Sequence, residues 1–357
     1  MTDDTTRTAP PRFGFLAQVD HTGIEADGSR VRSRGLEDGF ALFEAAEQLG
    51  YDVGYVRTRH LQNALASPLV FLSAVGQRVQ RMQLGTAVIP LRFENAGRLA
   101  EDLATADLLL NGRLRAGLGP GYSSFDAMYV RAFGESRGAL RDHVDRVLRD
   151  LLSFLGGEII SHADERIEGV EQGTPLRVQP QVPGLRERLA YGAASAERAA
   201  WAGARGLGLQ LATLAPDDGS GRSFEVLQRE AIDAYRDASR EAGHGRGYVS
   251  VTRQMVPVRD DAELERYVSL IPRERTAAPA VAGEHRGTEI GGRPAVFSEV
   301  VIDRPDAVAQ ALVADAAVQA ADEIVLTLPF GAETAEQRQV LDTFGEAVLP
   351  HLVAALL

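Results

Sequence analysis

Short apolar runs and stretches of helical periodicity alternate along nearly the whole chain. Phe13–Ala17 (FGFLA) follows a Pro-Pro lead and reads as a first strand. Leu36, Phe40, Phe43, Ala46 and Leu49 come next at helical spacing, with Gly50 as a C-terminal stop. Asp52–Val56, Met82–Pro90 and RLRAGLG at 113–119 read as further strands. Between them, a helix from Pro68 carries Leu72, Val75 and Val79 inward. Leu99, Leu103, Ala106 and Leu110 mark another, closed by Asn111-Gly112, and Leu140, Val144, Val147 and Leu151 share one face of a third.

Residues 156–186 break the rhythm and read as an inserted hairpin region. The alternation then resumes. Strands are expected at Arg188–Gly192, LGLQLA, Tyr248–Val258 and Glu323–Leu328, and helices at Ala196–Gly206, Ser223–Ala242, Asp306–Ala320 and Glu333–Leu356. Residues 270–298, rich in Pro, Gly, Arg and Glu, read as a long loop. About eight βα units without a linker predict one α/β domain over 1–357, a (β/α)8 TIM barrel with insertions; a doubly wound sheet is the alternative.

Composition narrows the chemistry. The net charge of −12 argues against nucleic acid or an anionic membrane as partner. TDDTTRTAPP lacks the apolar core of a signal peptide and no apolar run reaches membrane-spanning length, so a cytoplasmic protein is expected. There is no cysteine, which excludes disulfides, thiolate nucleophiles and Cys-ligated metals. There is no lysine either, since all 38 Lys+Arg residues are arginine; Schiff-base and P-loop chemistry are therefore excluded. Acid–base work falls to His, Asp, Glu and Tyr, unless a cofactor carries the difficult step. The seven histidines show no i,i+3 or i,i+4 pairing, so no metal site is expected.

Two motifs stand out. GLGPGY at 117–122 lies at the exit of the fourth strand and continues as SSFDAMYVRAFG, with no helix directly after it. It is therefore no dinucleotide fingerprint; its glycines keep a strand end slim enough for a flat ligand. In GAASAERAAWAGARGLG at 192–208, Ser195 stands at an N-cap, where its hydroxyl and free helix N–H groups suit a phosphate.

These segments, together with AEQLGYDVGYV, SPLVFLSAVGQRVQRMQLGTAVIPLRFENAGRLAEDLATADLLLNGRLRAGLGPGY, TPLRVQPQVPG, ADEIVLTLPFG and FGEAVLPHL, resemble the bacterial-luciferase-like flavin-dependent monooxygenases over nearly the whole chain. The resemblance implies a barrel binding FMN, reduced by a separate reductase, or in some branches F420. Such enzymes react reduced flavin with O2 and oxidise a small organic substrate; the resemblance also implies a homodimer. It places Ala87 and Val88 beneath the flavin ring, often through a non-proline cis peptide. Gly119, Gly121, Tyr122 and Ser123 would lie near the phosphate or ribityl chain, and Ala194, Ser195 and Arg198 at the phosphate. Arg253 would face substrate, and 270–298 would be a lid.

Two departures bear on the reaction. Many members end the second strand with Glu-His-His; here Thr58, Arg59 and His60 stand there, so Arg59 replaces the catalytic histidine of the luciferases. Pro120 replaces an arginine that grips phosphate, so another arginine is expected to neutralise it. Arg59 and His60 are thus the expected catalytic pair, Arg59 as a fixed positive charge and His60 orienting it or the substrate. F420-dependent hydride transfer and a flavin-binding subunit with little catalysis are the alternatives.

Overall fold

A computed structural model describes residues 10–356 apart from 29, 122–125, 167, 271–284 and 291–292. Eight parallel strands close on themselves: β1 (Arg12–Ala17), β2 (Val53–Val56), β3 (Gln83–Pro90), β4 (Leu114–Gly119), β5 (Ala190–Gly192), β6 (Gly208–Leu211), β7 (Val249–Pro257) and β8 (Glu323–Thr327). Each pairs with its successor in the chain. The register Arg12↔Glu323 joins β8 back to β1 and leaves this sheet no free seam. That closure decides for the (β/α)8 barrel and against the doubly wound sheet.

The helices are α1 (Arg34–Gln48), α2 (Pro68–Val75), α3 (Ala96–Leu109), α4 (Asp126–Phe133), α5 (Leu140–Leu155), α6 (Ala196–Gly203), α7 (Phe224–Glu241), α8 (Asp261–Leu270), α9 (Pro305–Ala314), α10 (Ala316–Ala320), α11 (Thr334–Thr343) and α12 (Leu349–Leu356). Caps set several starts. The Ser33 hydroxyl accepts from the Leu36 N–H at α1, and the Asn95 side chain accepts from the Arg98 N–H at α3. No helix among the described residues is long and apolar enough to cross a membrane.

Strand alternation divides the apolar residues between two cores. Phe13, Phe15 and Ala17 of β1 face outward into the large core beneath the helices, where Phe15 meets Phe43 edge-on at 4.9 Å. Leu16 faces inward with Val53, Tyr55 and Val325, and half-buried Ala87 packs on them. At the N-terminal end of the barrel this inner core turns polar. Glu323, fully buried, accepts hydrogen bonds from the hydroxyls of Tyr55 (2.8 Å) and Tyr248 (2.9 Å). The Arg115 guanidinium lies 4.1 Å above the Tyr248 ring. Burial, then the Glu323 charge, pushes both phenols well above their ordinary range. The barrel is thus plugged below and open above.

Four expectations differ from the structure. Helix α4 lies in the stretch after GLGPGY, where no helix was expected. The expected helix 306–320 breaks at Asp315, whose carboxylate caps α10 by accepting from the Ala317 and Val318 N–H groups. The final helix is interrupted by a wider π turn at Phe344–Val348. The expected loop 270–298 contains two strands, His285–Ile290 and Arg293–Phe297, which form a small antiparallel sheet with Leu214–Pro216. Val296 packs there with Ala215 and Phe224, a short apolar run masked in the sequence by its Pro/Gly surroundings. The remainder of the expected lid, 271–284 and 291–292, lies outside the described residues. Within 156–186, Ser161–His162 pairs antiparallel with Pro175–Leu176.

Glu323→Leu removes the acceptor of two buried phenols and the charge facing Arg115. It should lower the unfolding free energy by about 3–5 kcal/mol, measured by urea denaturation. Glu323→Gln, which keeps an acceptor, should cost less, and equal losses in the two variants would assign the effect to packing alone.

Candidate active site

The open end of the barrel is shaped by β3. Its pairing with β4 runs Thr86↔Ala116 and then Ile89↔Leu118, so one extra residue is accommodated at Ala87–Val88, and that peptide is cis. Both residues are half-buried. Glycines on the next strands leave room for Val88: a Cβ at Gly119 would stand 2.5 Å from Val88 Cγ2, and one at Gly192 3.1 Å from Cγ1. Thr86 donates its hydroxyl to the Gly117 carbonyl at 2.8 Å, and the Gln210 amide donates to the Thr86 carbonyl at 3.3 Å. Gln210 Oε1, Thr327 Oγ1 and Gln18 Nε2 are buried with no hydrogen-bond partner. Strand alternation places Thr327 inward with Val325.

A cavity of about 440 Å³ opens where β5 runs into α6. Ser195 caps α6, its hydroxyl accepting from the Arg198 N–H at 3.4 Å. Ala194, Ser195, Arg141 and Arg198 line the cavity, with Pro120 at its edge. The Arg198 guanidinium is firmly mounted: it donates to Asp145 at 2.7 Å and to the Tyr191 hydroxyl at 3.1 Å, and lies 3.7 Å above the Trp201 ring. Burial opposes its charge, but Asp145 and Tyr191 outweigh that and hold its pKa above the ordinary arginine value. Leu214, Pro294 and Ala295 of the small antiparallel sheet form a further wall, so part of the 270–298 segment borders this cavity.

The residues after β2 diverge. Arg57 and Arg59 line a pocket of about 260 Å³ with Gln18 and Gln62. Backbone bonds from the Arg59 N–H to the Leu65 carbonyl (3.0 Å) and from the Leu65 N–H to the Val19 carbonyl (2.9 Å) tie this turn to the β1 exit. His60 instead packs among aromatic rings, 5.0 Å from Phe93 and 4.8 Å from Phe133 of α4. Its Nε2 is buried without a partner, and burial lowers its pKa, favouring the neutral ring. Arg59 and His60, expected as a pair, thus serve different surroundings.

Arg253, expected to face substrate, uses its donors in the helix layer. It binds the Asp315 carboxylate at 2.7 and 3.1 Å and Gln228 of α7 at 2.8 Å. Gly121 has φ +89°, a conformation that suits glycine, while Tyr122 and Ser123 lie outside the described residues. Arg92, fully buried, anchors α4 through Asp126 and the Gly134 carbonyl. Sequence reasoning missed Arg141, hidden in the charged pattern of α5, and Arg57, Gln18 and Gln210, whose importance depends on strands distant in the chain.

Comparison with known proteins agrees with this architecture. Limonene 1,2-monooxygenase of Rhodococcus erythropolis is 32% identical over 164 residues, 45% of this chain and 39% of that protein. The F420-dependent glucose-6-phosphate dehydrogenase of Kineococcus radiotolerans is 26% identical over 280 residues, 71% of this chain and 81% of the enzyme. The chain spans less than half the length of the first curated relatives it matches. Among solved structures, the oxygenating constituent of 3,6-diketocamphane monooxygenase from Pseudomonas putida, in complex with FMN, superimposes with TM-score 0.66 at 16% identity, covering 96% of this chain and 98% of that one. The model of the luciferase-like monooxygenases matches residues 12–343, nearly all of the barrel, and the chain belongs to that family.

Proposed function

We propose that the protein is an FMN-dependent monooxygenase that takes reduced FMN from a separate flavin reductase and uses O2 to oxidise a small organic substrate. The cavity at the β5–α6 junction carries this reading. It combines a serine N-cap, the N-terminal end of α6 and two arginines, and its lining residue Gly192 adjoins Val88, which suits a phosphate monoester attached to a flat ring. The unpartnered Gln210 Oε1 and Thr327 Oγ1 offer polar partners to the edge of such a ring. Reduced FMN, when bound, supplies the electrons that activate O2.

The chain's own residues hold and shield. Ser195, Arg141 and Arg198 bind the phosphate; Val88 offers methyl groups as an apolar support for the ring; Leu214, Pro294 and Ala295 keep water from the phosphate end. The monooxygenase names of the Rhodococcus and Pseudomonas proteins support this reading. F420-dependent hydride transfer is the second reading, favoured by the longer alignment with the Kineococcus dehydrogenase. Equilibrium binding of FMNH2 and F420H2, followed by oxygen uptake with enzymatically supplied FMNH2, separates the two. Tight F420H2 binding with no affinity for FMNH2 would reverse the assignment.

Ser195→Ala and Arg141→Ala should each weaken FMN binding about fivefold to fiftyfold while leaving riboflavin, which lacks the phosphate, unaffected. Equilibrium dialysis of the two ligands reads this directly, and equal losses for both would place the phosphate elsewhere. His60 holds α4 as a neutral ring. Because burial lowers its folded pKa below the ordinary 6.5, its contribution to stability is present above that value and lost as pH falls through the folded pKa. His60→Phe should therefore flatten the acid limb of the stability–pH curve, and an unchanged limb would contradict this.

A further inference from the structure

The 260 Å³ pocket beside the β1 and β2 exits is lined by Gln18, Val19, Arg57, Arg59, Gln62 and Ala64, and no carboxylate is among them. Arg57 and Arg59 both reach this small pocket, in a chain of net charge −12, and no acidic side chain lines it. Arg57 lies 4.8 Å above the Phe330 ring and has no hydrogen bond or carboxylate partner among the described residues. The ring fixes the guanidinium and leaves its donors unused. Gln18 Nε2, on the same pocket, is a second donor without an acceptor.

A larger cavity of about 790 Å³ adjoins, sharing Gln18, Val19 and Ala64. Its acids are occupied locally: Asp20 accepts from the Thr22 amide and hydroxyl, Asp38 from the Thr334 hydroxyl, and Glu333 forms the capping box of α11. Those donors are neutral, so the three carboxylates keep their charge; they line the neighbouring cavity and not the pocket that holds Arg57. In the ring order of strands, β1 stands opposite β5, where the phosphate cavity lies. The two arginine-bearing sites thus lie on opposite sides of the strand ring.

We infer that this pocket is an oxyanion site that selects a small organic anion as substrate, with Arg57 as the specificity-determining residue. The head group, a carboxylate or sulfonate, accepts from Arg57, from Gln18 Nε2 and from the Arg59 guanidinium, and the carbon skeleton extends into the adjoining cavity. As a statement about substrate this rests on the oxygenase reading; the anion site itself does not require flavin.

The test uses the full chain without flavin and calorimetric titration with hexanoate and hexanesulfonate, against hexanamide and hexanol as neutral matches at constant ionic strength. The anions should bind at least about tenfold more tightly than the neutral probes. Arg57→Ala should abolish that preference, and Arg57→Lys should retain part of it because a point charge replaces the planar fork. Equal affinity for hexanoate and hexanamide, or a preference surviving in Arg57→Ala, overturns the proposal. Anion preference in a chain that binds neither FMNH2 nor F420H2 would support the site while ending the oxygenase reading.

Discussion

Glu323 is a carboxylate with no exposed surface, and the lower half of the barrel is built around it. Such a charge is tolerable only where hydrogen bonds and an opposite charge replace water. Tyr55 from β2, Tyr248 from just before β7 and Arg115 from β4 converge on it from separate parts of the ring. One buried group thereby links strands distant in sequence and closes the interior from below. Gly85 makes room for this, since a Cβ there would fall 2.5 Å from the Tyr55 ring. With the bottom filled by rings and charge, the open volume lies at the opposite end, where the βα connections carry the candidate site.

The absence of lysine gives that site its character. Each basic side chain is a planar guanidinium, and several are seated on aromatic faces: Arg78 on Phe40, Arg115 on Tyr248, Arg198 on Trp201, Arg253 on Phe224 and Arg57 on Phe330. A stacked guanidinium keeps its edge donors while losing rotational freedom. What distinguishes these arginines is who uses the edge. Asp315 takes that of Arg253 and Asp145 part of that of Arg198, whereas Arg57 has no acidic partner among the described residues.

Much of the architecture is legible locally because each βα unit carries its own signals. The α1 face through Phe43 and Ala46, the Gly50 turn and the Asn111-Gly112 turn are all readable without tertiary contacts. Ser195 is legible for the same reason, since an N-cap is a property of adjacent residues. Arg253 is not: a buried arginine and a substrate-facing arginine have the same sequence, and Asp315, which decides between them, lies on another unit. Helix α4 is equally hidden, because its hold comes from Arg92 and from the rings of His60 and Phe93 rather than from its own pattern.

The Arg57-Thr58-Arg59-His60 stretch shows what tertiary placement adds to such a reading. In sequence it is two arginines, a threonine and a histidine beyond a strand, with Arg59 marked only by the histidine it replaces. In the fold, Arg57 and Arg59 line the pocket at the β1 exit, while Thr58 and His60 are buried, His60 against Phe93 and Phe133. The stretch is thus split into two pocket-lining arginines and a buried Thr58 and His60. His60 then belongs to the seating of α4, and the two arginines line the pocket beside the β1 exit. A histidine at position 59 would supply a smaller group that is largely neutral at pH 7. Arginine keeps its charge at any physiological pH, so the substitution replaces a group able to exchange a proton by one suited to hold an anion.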